Sequence, residues 1–300
     1  MNRKEKRIIY ADNAATTRLD QDAFEAMCPF LCENFGNASQ PYSFSRVPKN
    51  ALKIARETIA SCINASPEEI FFTSGGTESD NWALKGILKT NESQTVITSQ
   101  IEHHAILHTC ASIEQVGNKV IYLPVDRNGI VDTNTLQEAL VNKVALVSVM
   151  YANNEIGSLE PIHELCNIAH RNGAKFHTDA VQAVGHVKID VKEIGVDMMS
   201  ASAHKFNGPK GIGFLYVKTG TALKPFADGG AQEYGTRAGT ENVAEIVGLG
   251  KACEIARINL SSHVTYLSRL RNYYFNLLNR YFKDRFRING SVQNRLPRKC

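Results

Sequence analysis

Two residues of this sequence, Asp179 and Lys205, have the types and positions that covalent amine chemistry needs. Lys205 follows a strand-like stretch at residues 196–200, and Asp179 closes the apolar run that begins at Lys175. A lysine held there can form a Schiff base with pyridoxal phosphate (PLP), while the aspartate keeps the pyridine nitrogen protonated so that the ring accepts electrons. Most Lys–Asp pairs are surface charges, so this interpretation depends on the motifs around the pair.

A glycine turn supplies the first of these motifs. The apolar run at residues 71–73 is soon followed by Gly75, Gly76 and Thr77. Glycines let the backbone approach an anion, free amides at a helix N-terminus attract phosphate, and Thr77 adds a hydroxyl. The alternative is a helix cap, with Thr77 at or near the N-cap position and Glu78 in the first turn.

A histidine pair follows the next strand-like run, which ends near Ser99. The imidazole of His103 could stack on a pyridine ring and move protons at the reacting carbon. The alternative is an exposed loop histidine. Zinc binding by His103, His104 and His108 is disfavoured because no cysteine or carboxylate ligand follows at finger-like spacing, so no metal site is predicted.

Side-chain amides occur at two further strand ends. Asn154, in the run Asn-Asn-Glu-Ile-Gly at residues 153–157, could hydrogen-bond a phenolic oxygen or a carboxylate, or it could simply form a turn. Gln182, one turn after Asp179, could reach the oxygen of the ring. Asp179 could also act as a helix N-cap, and both roles are compatible with one position.

Polar side chains also flank the candidate lysine. Ser202 and His204 could donate hydrogen bonds to a phosphate, while Lys205 needs a lowered pKa to react as an amine. Each signal is weak alone, but together they lie in order at successive strand ends and predict a PLP site. The residues predicted to hold the cofactor are Gly76, Thr77, His103, Asn154, Asp179, Gln182, Ser202, His204 and Lys205.

These motifs are set in an alternation of strand-length apolar runs with segments of helical period, which predicts an α/β domain with a mostly parallel sheet and helices on both faces. Ligands bind beyond the carboxyl ends of such strands. Strands are predicted at residues 8–11, 70–73, 95–98, 120–124, 145–150, 175–178, 198–200 and 213–217. Helices are predicted at residues 21–34, 48–64, 78–89, 104–115, 162–171 and 243–257.

The amino-acid composition of the sequence changes near Glu254. A polar helix is predicted at residues 267–281 and a strand after residue 282. We therefore expect a large PLP-binding domain at residues 16–253 and a small α+β domain formed by residues 1–15 and 254–300. One helix and one strand are too few to enclose a hydrophobic core, so this small domain is expected to be incomplete.

Composition excludes several classes of protein. The 300 residues carry a formal net charge of +4 and contain no basic stripe interleaved with aromatics, so a nucleic-acid partner is not expected. No run approaches the ~18 apolar residues of a membrane span, and the basic N-terminus lacks the apolar stretch of a secretory signal. Neither a membrane partner nor secretion is predicted.

The seven cysteines are scattered, odd in number and form no Cys-x-x-Cys pair, which indicates a reducing, cytoplasmic location. Cys28 and Cys32 lie one helical turn apart and could hold a metal, but a helix face explains them better. The cysteines are Cys28, Cys32, Cys62, Cys110, Cys166, Cys253 and Cys300.

The chain resembles the cysteine desulfurases of the class V aminotransferase family, PLP-dependent transferases of fold type I. The resemblance extends from about residue 8 to about residue 297. The matching stretches are YADNAATT at residues 10–17, FGN at 35–37, TSGGTESDN at 73–81, EH at 102–103, NNEIG at 153–157, HTDAVQ at 177–182, SAHK at 202–205, GPKG at 208–211 and RAGTEN at 237–242.

This resemblance implies a homodimer in which Thr240 of one subunit reaches the cofactor phosphate of the other. It implies catalytic roles for Lys205, which carries PLP, and for His103, which stacks on the ring. Asp179 would pair with the ring nitrogen, Gln182 with the phenolic oxygen, and Asn154 would orient substrate. The expected substrate is L-cysteine, and the expected products are alanine and a persulfide, passed to an acceptor or scaffold protein for iron–sulfur clusters or tRNA thiolation.

The sequence also departs from the family pattern. Family members continue beyond residue 300 into a Ser-Gly-Ser-Ala-Cys-like loop with a nucleophilic cysteine, and then to an arginine that binds the substrate carboxylate. Residues 298–300 suggest a truncation or a shifted reading frame, so we expect little desulfuration and only slow transamination or elimination. Alternatives are a non-catalytic PLP-binding remnant and a related selenocysteine lyase or transaminase. Smaller departures occur at Tyr42, Ser45, Ala231 and Tyr234.

Overall fold

The computed structural model of the chain describes residues 9–299. The strands are β1 (Ile70–Thr73), β2 (Thr95–Ser99), β3 (Lys119–Leu123), β4 (Val144–Ser148), β5 (Lys175–Asp179), β6 (Met198–Ser202) and β7 (Gly213–Val217). The helices are α1 (Gln21–Met27), α2 (Pro29–Cys32), α3 (Arg46–Cys62), α4 (Gly76–Gly86), α5 (His104–Gln115), α6 (Thr133–Ala139), α7 (Ile162–Arg171), α8 (Val191–Ile194), α9 (Gln232–Gly235) and α10 (Val243–Phe282).

The strands form one seven-stranded mixed sheet in the order β1-β7-β6-β5-β4-β2-β3. Strands β6, β5, β4, β2 and β3 are parallel, and β7 is antiparallel to both of its neighbours, β1 and β6. Residues 203–212 join β6 to β7, and this connection is too short for the crossover that a parallel pair requires. The predicted α/β class with a mostly parallel sheet is therefore confirmed.

Neighbouring residues of the central strands point into two separate cores, one on each face of the sheet. Leu146 packs in a cluster with Trp82 of α4 and Ile106 of α5, whereas Val147 packs in a larger cluster with Leu165 of α7. Because strand side chains alternate between faces, both faces must be apolar and covered. Helices α4 and α5 cover one face, while α3, α7 and α10 contribute to the core on the other.

Most predicted strands are confirmed to within two residues at each end, but the one at residues 8–11 is not. Ile8 lies outside the described residues, and residues 9–11 form no strand. The predicted helix at residues 21–34 is divided into α1 and α2 at Cys28, because Pro29 has no backbone N–H to continue the first helix. Helices α6, α8 and α9 are not among the predicted helices.

The chain shows no break in secondary structure near Glu254. The two helices predicted at residues 243–257 and 267–281 are one continuous helix, α10. The strand predicted after residue 282 is not found among residues 283–299, where the chain makes an isolated bridge between Arg295 and Ser158. A separate small domain therefore stays a prediction. Among the described residues, no helix is long and apolar enough to span a membrane.

Candidate active site

One cavity of about 190 Å³ brings together all nine residues predicted from the sequence to hold the cofactor. They lie at or just beyond the carboxyl ends of strands β1, β2, β4, β5 and β6, where a mostly parallel sheet presents its ligand site. The cavity is lined by Gly76, Thr77, Asp80, His103, Met150, Ala152, Asn154, Asp179, Val181, Gln182, Ser202, His204 and Lys205.

Lys205 is held at the cavity by the N-terminal segment of the chain. Its Nζ donates hydrogen bonds to the carbonyl oxygens of Ala14 (2.7 Å) and Ala15 (2.9 Å). Burial lowers the pKa of Lys205, and the cation of Arg298 lowers it further, against the opposing charge of Asp179. A lowered pKa increases the fraction of neutral amine, which is the form that reacts as a nucleophile.

Asp179 is the last residue of β5 and is only 6% exposed. Its Oδ1 accepts a hydrogen bond from the backbone N–H of Val181 at 2.9 Å. Burial raises the pKa of this carboxyl, and the backbone hydrogen bond together with the charges of His103 and Lys205 opposes the rise. The alternative role as a helix N-cap is wrong, because residues 181–186 form turns rather than a helix.

The glycine turn after β1 leads directly into helix α4. Gly75 is the N-cap and has a φ of 146°, which side chains rarely adopt. A Cβ built on Gly76 would lie 2.5 Å from Cγ2 of Val181, so any larger residue here would force Val181 to move. Thr77 is the second helical residue, and the hydroxyl of Ser202 lies close by, 3.5 Å from a Cβ built on Gly75. The turn thus combines free helix amides with hydroxyl donors, as an oxyanion site requires.

Two histidines border the cavity in different ways. His103 is exposed and caps helix α5, with Nδ1 accepting a hydrogen bond from the N–H of Ala105 at 3.1 Å, so the neutral ring carries its proton on Nε2. His204 contacts the hydroxyl of Thr16 through Nδ1 at 3.0 Å. Burial lowers the pKa of His204, and the charges of Lys205 and Lys210 lower it further.

The last described residues of the chain contact residues that line this cavity. The sequence did not predict these contacts. The guanidinium of Arg298 donates to Oε1 of Gln182 at 2.7 Å and to the carbonyl of Lys205 at 3.0 Å. Nζ of Lys299 donates to the carbonyl of Asn154. Burial lowers the pKa of Arg298 to about 10 and that of Lys299 to about 8. Cys300 lies outside the described residues.

Asp80 is a further lining residue that sequence reasoning missed. It is 1% exposed, Oδ1 has no hydrogen-bond partner, and this oxygen lies 3.8 Å from Nε2 of His177. Burial, assisted by the charge of Asp179, raises the pKa of Asp80 well above its ordinary value, and burial lowers that of His177 to about 3. The available signal was spacing, because Asp80 lies one helical turn after Gly76 and thus on the same face.

Glu102, which precedes His103, is buried between the ends of β2 and β4. Its Oε1 accepts hydrogen bonds from the Ser99 hydroxyl (2.6 Å) and from the Met150 N–H (2.9 Å), while Oε2 has no hydrogen-bond partner. Burial raises the pKa of Glu102 to about 8, against the lowering effect of these two hydrogen bonds. The carboxyl therefore takes up a proton on folding at neutral pH.

We expect Glu102→Gln to remove a pH dependence of stability. Because the folded-state pKa is raised, the folded chain binds more protons than the unfolded chain between pH 4.5 and about 8. The unfolding free energy therefore falls as the pH rises through this window, by up to about 1.4 kcal/mol per pH unit. Urea unfolding from pH 5 to pH 8 should show a shallower slope for the glutamine variant. Exposed Glu138→Gln is the control, and equal slopes for wild type and Glu102→Gln would contradict the prediction.

Thr240, predicted from the family resemblance to contact the partner's phosphate, does not line the cavity of its own chain and is exposed. The loop at residues 226–242, which carries Thr240, is held against the start of helix α4. Nε and NH2 of Arg237 donate to the two carboxylate oxygens of Glu78 at 2.8 and 3.1 Å, and Glu78 also accepts from the Ser74 hydroxyl at 2.6 Å.

A second set of contacts that holds this loop involves residues with an unusual backbone conformation. Glu233 and Tyr234, inside the short element α9, both adopt left-handed conformations with φ of 46° and 58°, so α9 is not a regular helix. The buried carboxylate of Glu233 accepts hydrogen bonds from both terminal nitrogens of Arg56 (2.9 and 2.7 Å) and from the Phe72 N–H (2.9 Å). Left-handed backbone is costly for residues other than glycine, so these bonds must offset the strain.

We therefore expect Glu233→Ala to cost about 3 kcal/mol or more of unfolding free energy, because the Arg56 cation and the Phe72 N–H would lose their acceptor. The measurement is urea denaturation followed by circular dichroism. Glu57→Ala is the matched control on helix α3, because its pair with Lys53 is exposed and should contribute less than about 1 kcal/mol. Similar losses for the two variants would contradict this prediction.

The chemistry of the cavity fits PLP. The cavity contains a buried carboxylate, a half-buried lysine with a lowered pKa and a glycine turn with hydroxyl donors, which are the groups that the ring nitrogen, the aldehyde and the phosphate of that cofactor would need. The mixed seven-stranded sheet, with helices on both faces, places these groups at the carboxyl ends of its strands, where such sheets bind ligands. Fold and site together define a PLP-dependent transferase of fold type I.

The profile of the family described as aminotransferase class V matches residues 9–298. The chain is 49% identical over 294 residues to the cysteine desulfurase IscS of Dictyoglomus turgidum, covering 97% of this chain and 74% of the relative. It is 50% identical over 270 residues to IscS of Methanosarcina thermophila, covering 89% and 67% respectively. The chain belongs to the class V aminotransferase family and, within it, to the PLP-dependent cysteine desulfurases.

Solved structures agree with this placement. A NifS-like protein superposes with a TM-score of 0.93 at 38% identity, over 97% of this chain and 80% of that one. A structure described as SspA in complex with cysteine superposes with a TM-score of 0.81 at 40% identity, over 82% of this chain and 72% of that one.

Proposed function

We propose that this chain uses PLP, attached at Lys205, to act on L-cysteine. The observation that carries the proposal is the meeting of Lys205, Asp179 and the glycine turn in one cavity at the carboxyl ends of the sheet. The complex with cysteine of the SspA structure supports the choice of substrate. In the overall reaction, L-cysteine and an acceptor thiol give L-alanine and a persulfide, so that the sulfur atom is transferred and no outside oxidant or reductant is needed.

Each end of the cofactor has candidate partners in this proposal. When bound, PLP withdraws electrons from the α-carbon of the amino acid. Asp179 would hold the proton of the ring nitrogen. The phosphate would be bound by Gly76, Thr77, Ser202 and His204, and by Thr240 from a second copy of the chain in a homodimer.

The remaining residues would orient and protonate the substrate. Nζ of Lys205 would move the proton at the α-carbon, since its lowered pKa increases the fraction of neutral amine that can act as a base. His103, with a protonated Nε2, would stack on the ring and donate a proton at the reacting centre. Gln182 would hydrogen-bond the phenolic oxygen and Asn154 would orient the amino acid.

The sulfur acceptor is not assigned to any described residue. No cysteine is among the residues that line the described cavity, and the six described cysteines lie elsewhere in the fold. The proposal therefore leaves the acceptor open to an added thiol, to a cysteine outside the described residues or to a partner protein. Delivery to an iron–sulfur scaffold protein or to tRNA thiolation stays a prediction, as do the cytoplasmic location and the division into domains at residues 16–253 and 1–15 plus 254–300.

The test is product analysis with a supplied acceptor. The chain is loaded with PLP, given L-cysteine and dithiothreitol, and assayed for alanine and sulfide. We expect slow turnover, because no described cysteine lines the cavity, with equal amounts of the two products when dithiothreitol serves as the acceptor. Pyruvate with sulfide would indicate elimination instead, a preference for L-selenocysteine would indicate a selenocysteine lyase, and cofactor binding without any turnover would indicate a non-catalytic PLP-binding protein.

A further inference from the structure

A second cavity, of about 210 Å³, contains two cysteines and lies apart from the candidate active site. It forms where the end of helix α3 meets helix α10, and the segment at residues 184–190 closes it. None of its lining residues also lines the first cavity. Cys62 is the last residue of α3 and is partly exposed, whereas Cys253 on α10 is only 3% exposed.

The two thiols line the same cavity and differ in their surroundings. Arg257, one helical turn after Cys253 on α10, lines this cavity as well. The side chain of Cys253 lowers the pKa of Cys62, and the charge of Arg257 lowers it further, while burial opposes both. The side chain of Cys62, with burial, raises the pKa of Cys253.

Two other cysteines of the fold lie in surroundings that raise the pKa of the thiol. Cys110 and Cys166 are fully buried, and burial raises the pKa of each to about 12. Thiols of that kind are unreactive, whereas a thiolate beside a cation and next to a cavity is the reactive species in cysteine chemistry. The cavity beside Cys62 also contains charged groups of both signs, Lys188 and Asp190, and is large enough for a small polar oxidant.

We propose that Cys62 and Cys253 form an oxidisable thiol pair, in which Cys62 is the site of attack by a peroxide and Cys253 resolves the product to a disulfide. In the first step the Cys62 thiolate attacks one oxygen of hydrogen peroxide, the O–O bond breaks, and with one proton the products are a sulfenic acid and water. In the second step the Cys253 sulfur attacks the Cys62 sulfur, the S–O bond breaks, and a second water leaves. The peroxide is reduced and the two thiols are oxidised.

The position of the pair gives the oxidation a structural consequence. Cys62 ends α3 and Cys253 lies in the first third of α10, and these two helices share one of the most extensive packing contacts in the fold. A disulfide would tie the end of α3 to α10. The pair is thus a modification site separate from PLP chemistry, and it does not depend on the proposed function.

The experiment uses the reduced, PLP-loaded 300-residue chain and hydrogen peroxide as the probe. After oxidation the free thiols are blocked with N-ethylmaleimide and the digest is analysed by mass spectrometry. We expect a Cys62–Cys253 cross-linked peptide, a loss of two free thiols per chain and full reversal by dithiothreitol. Iodoacetamide at neutral pH should label Cys62 several-fold faster than Cys166, and Arg257→Met should reduce that rate.

Two variants separate the roles of the thiols. In Cys253→Ala, the sulfenic acid at Cys62 should persist and be captured by dimedone. In Cys62→Ser, Cys253 should stay reduced under the same peroxide. Thermal melts check that both variants are folded, and the wild-type cross-link decides the question if either is not. The proposal is overturned if Cys62 and Cys253 are both recovered as maleimide adducts after oxidation, or if Cys62 is labelled no faster than Cys166.

Discussion

Lys205→Ala is expected to abolish covalent attachment of PLP and to reduce alanine formation from L-cysteine by at least about 10³-fold. The same Nζ would hold the cofactor and move the proton at the α-carbon, and proton transfer by a positioned side chain alone contributes roughly 10²- to 10⁴-fold. Borohydride reduction followed by mass spectrometry locates the attached cofactor, and absorbance after gel filtration gives its amount. These two readouts do not depend on turnover.

Lys205→Arg is the matched variant for this experiment. Arginine preserves the positive charge that faces Asp179 but cannot form the covalent link, so it should also lack attached PLP. Lys218→Ala removes an exposed lysine at the far end of β7 and should behave as wild type. Borohydride-fixed cofactor on a different lysine, or alanine formation by Lys205→Ala within tenfold of wild type, would contradict the assignment.

The sheet and most of the site could be predicted because both depend on local signals that tertiary structure does not override. An apolar run buried on both faces, such as residues 213–217, has few alternatives to a central strand. Polar residues that follow such runs must converge when the strands are parallel, which is why Thr77, His103 and Asp179 meet. The glycine turn is predictable for a related reason, since a φ of 146° at Gly75 excludes nearly every other residue.

The contacts that could not be predicted are those that join distant parts of the chain. The placement of Arg298 against Gln182 depends on how the C-terminal segment packs, and no local pattern encodes it. The same holds for the anchoring of Glu233 by Arg56, because a buried ion pair between residues so far apart looks like two surface charges in sequence. Asp80 was missed because a polar residue in the second turn of a helix is ordinary unless the cavity is already known.

Helix α10 shows the other limit of sequence patterns. Its first half is apolar and packs against α1 and α3, whereas the second half is rich in exposed residues such as Tyr266 and Tyr273. In the sequence, that change of composition suggests the start of a second domain with a helix of its own. The backbone hydrogen bonds of a helix do not depend on which side chains are buried, so one helix continues while its surroundings change.

Asp179→Asn is expected to reduce alanine formation by roughly 10²- to 10⁴-fold. Removing one member of a buried charge pair costs about 3–5 kcal/mol, and each 1.36 kcal/mol corresponds to tenfold in rate or affinity. The asparagine amide can hydrogen-bond the ring nitrogen but cannot stabilise its positive charge. PLP should still attach at Lys205, with a dissociation constant that is raised in parallel.

Stability measurements make this prediction specific to the cofactor. Burial raises the pKa of Asp179, so in the cofactor-free chain the carboxylate is a cost that grows as pH rises above the ordinary aspartate value, and Asp179→Asn should leave that chain as stable as wild type or more so at pH 7. Added PLP should then raise the unfolding midpoint of wild type more than that of the variant. Asp132→Asn, an exchange at the exposed N-cap of α6, is the matched control. If Asp179→Asn destabilises the cofactor-free and PLP-bound chains equally, Asp179 is a structural residue and does not act through the ring nitrogen.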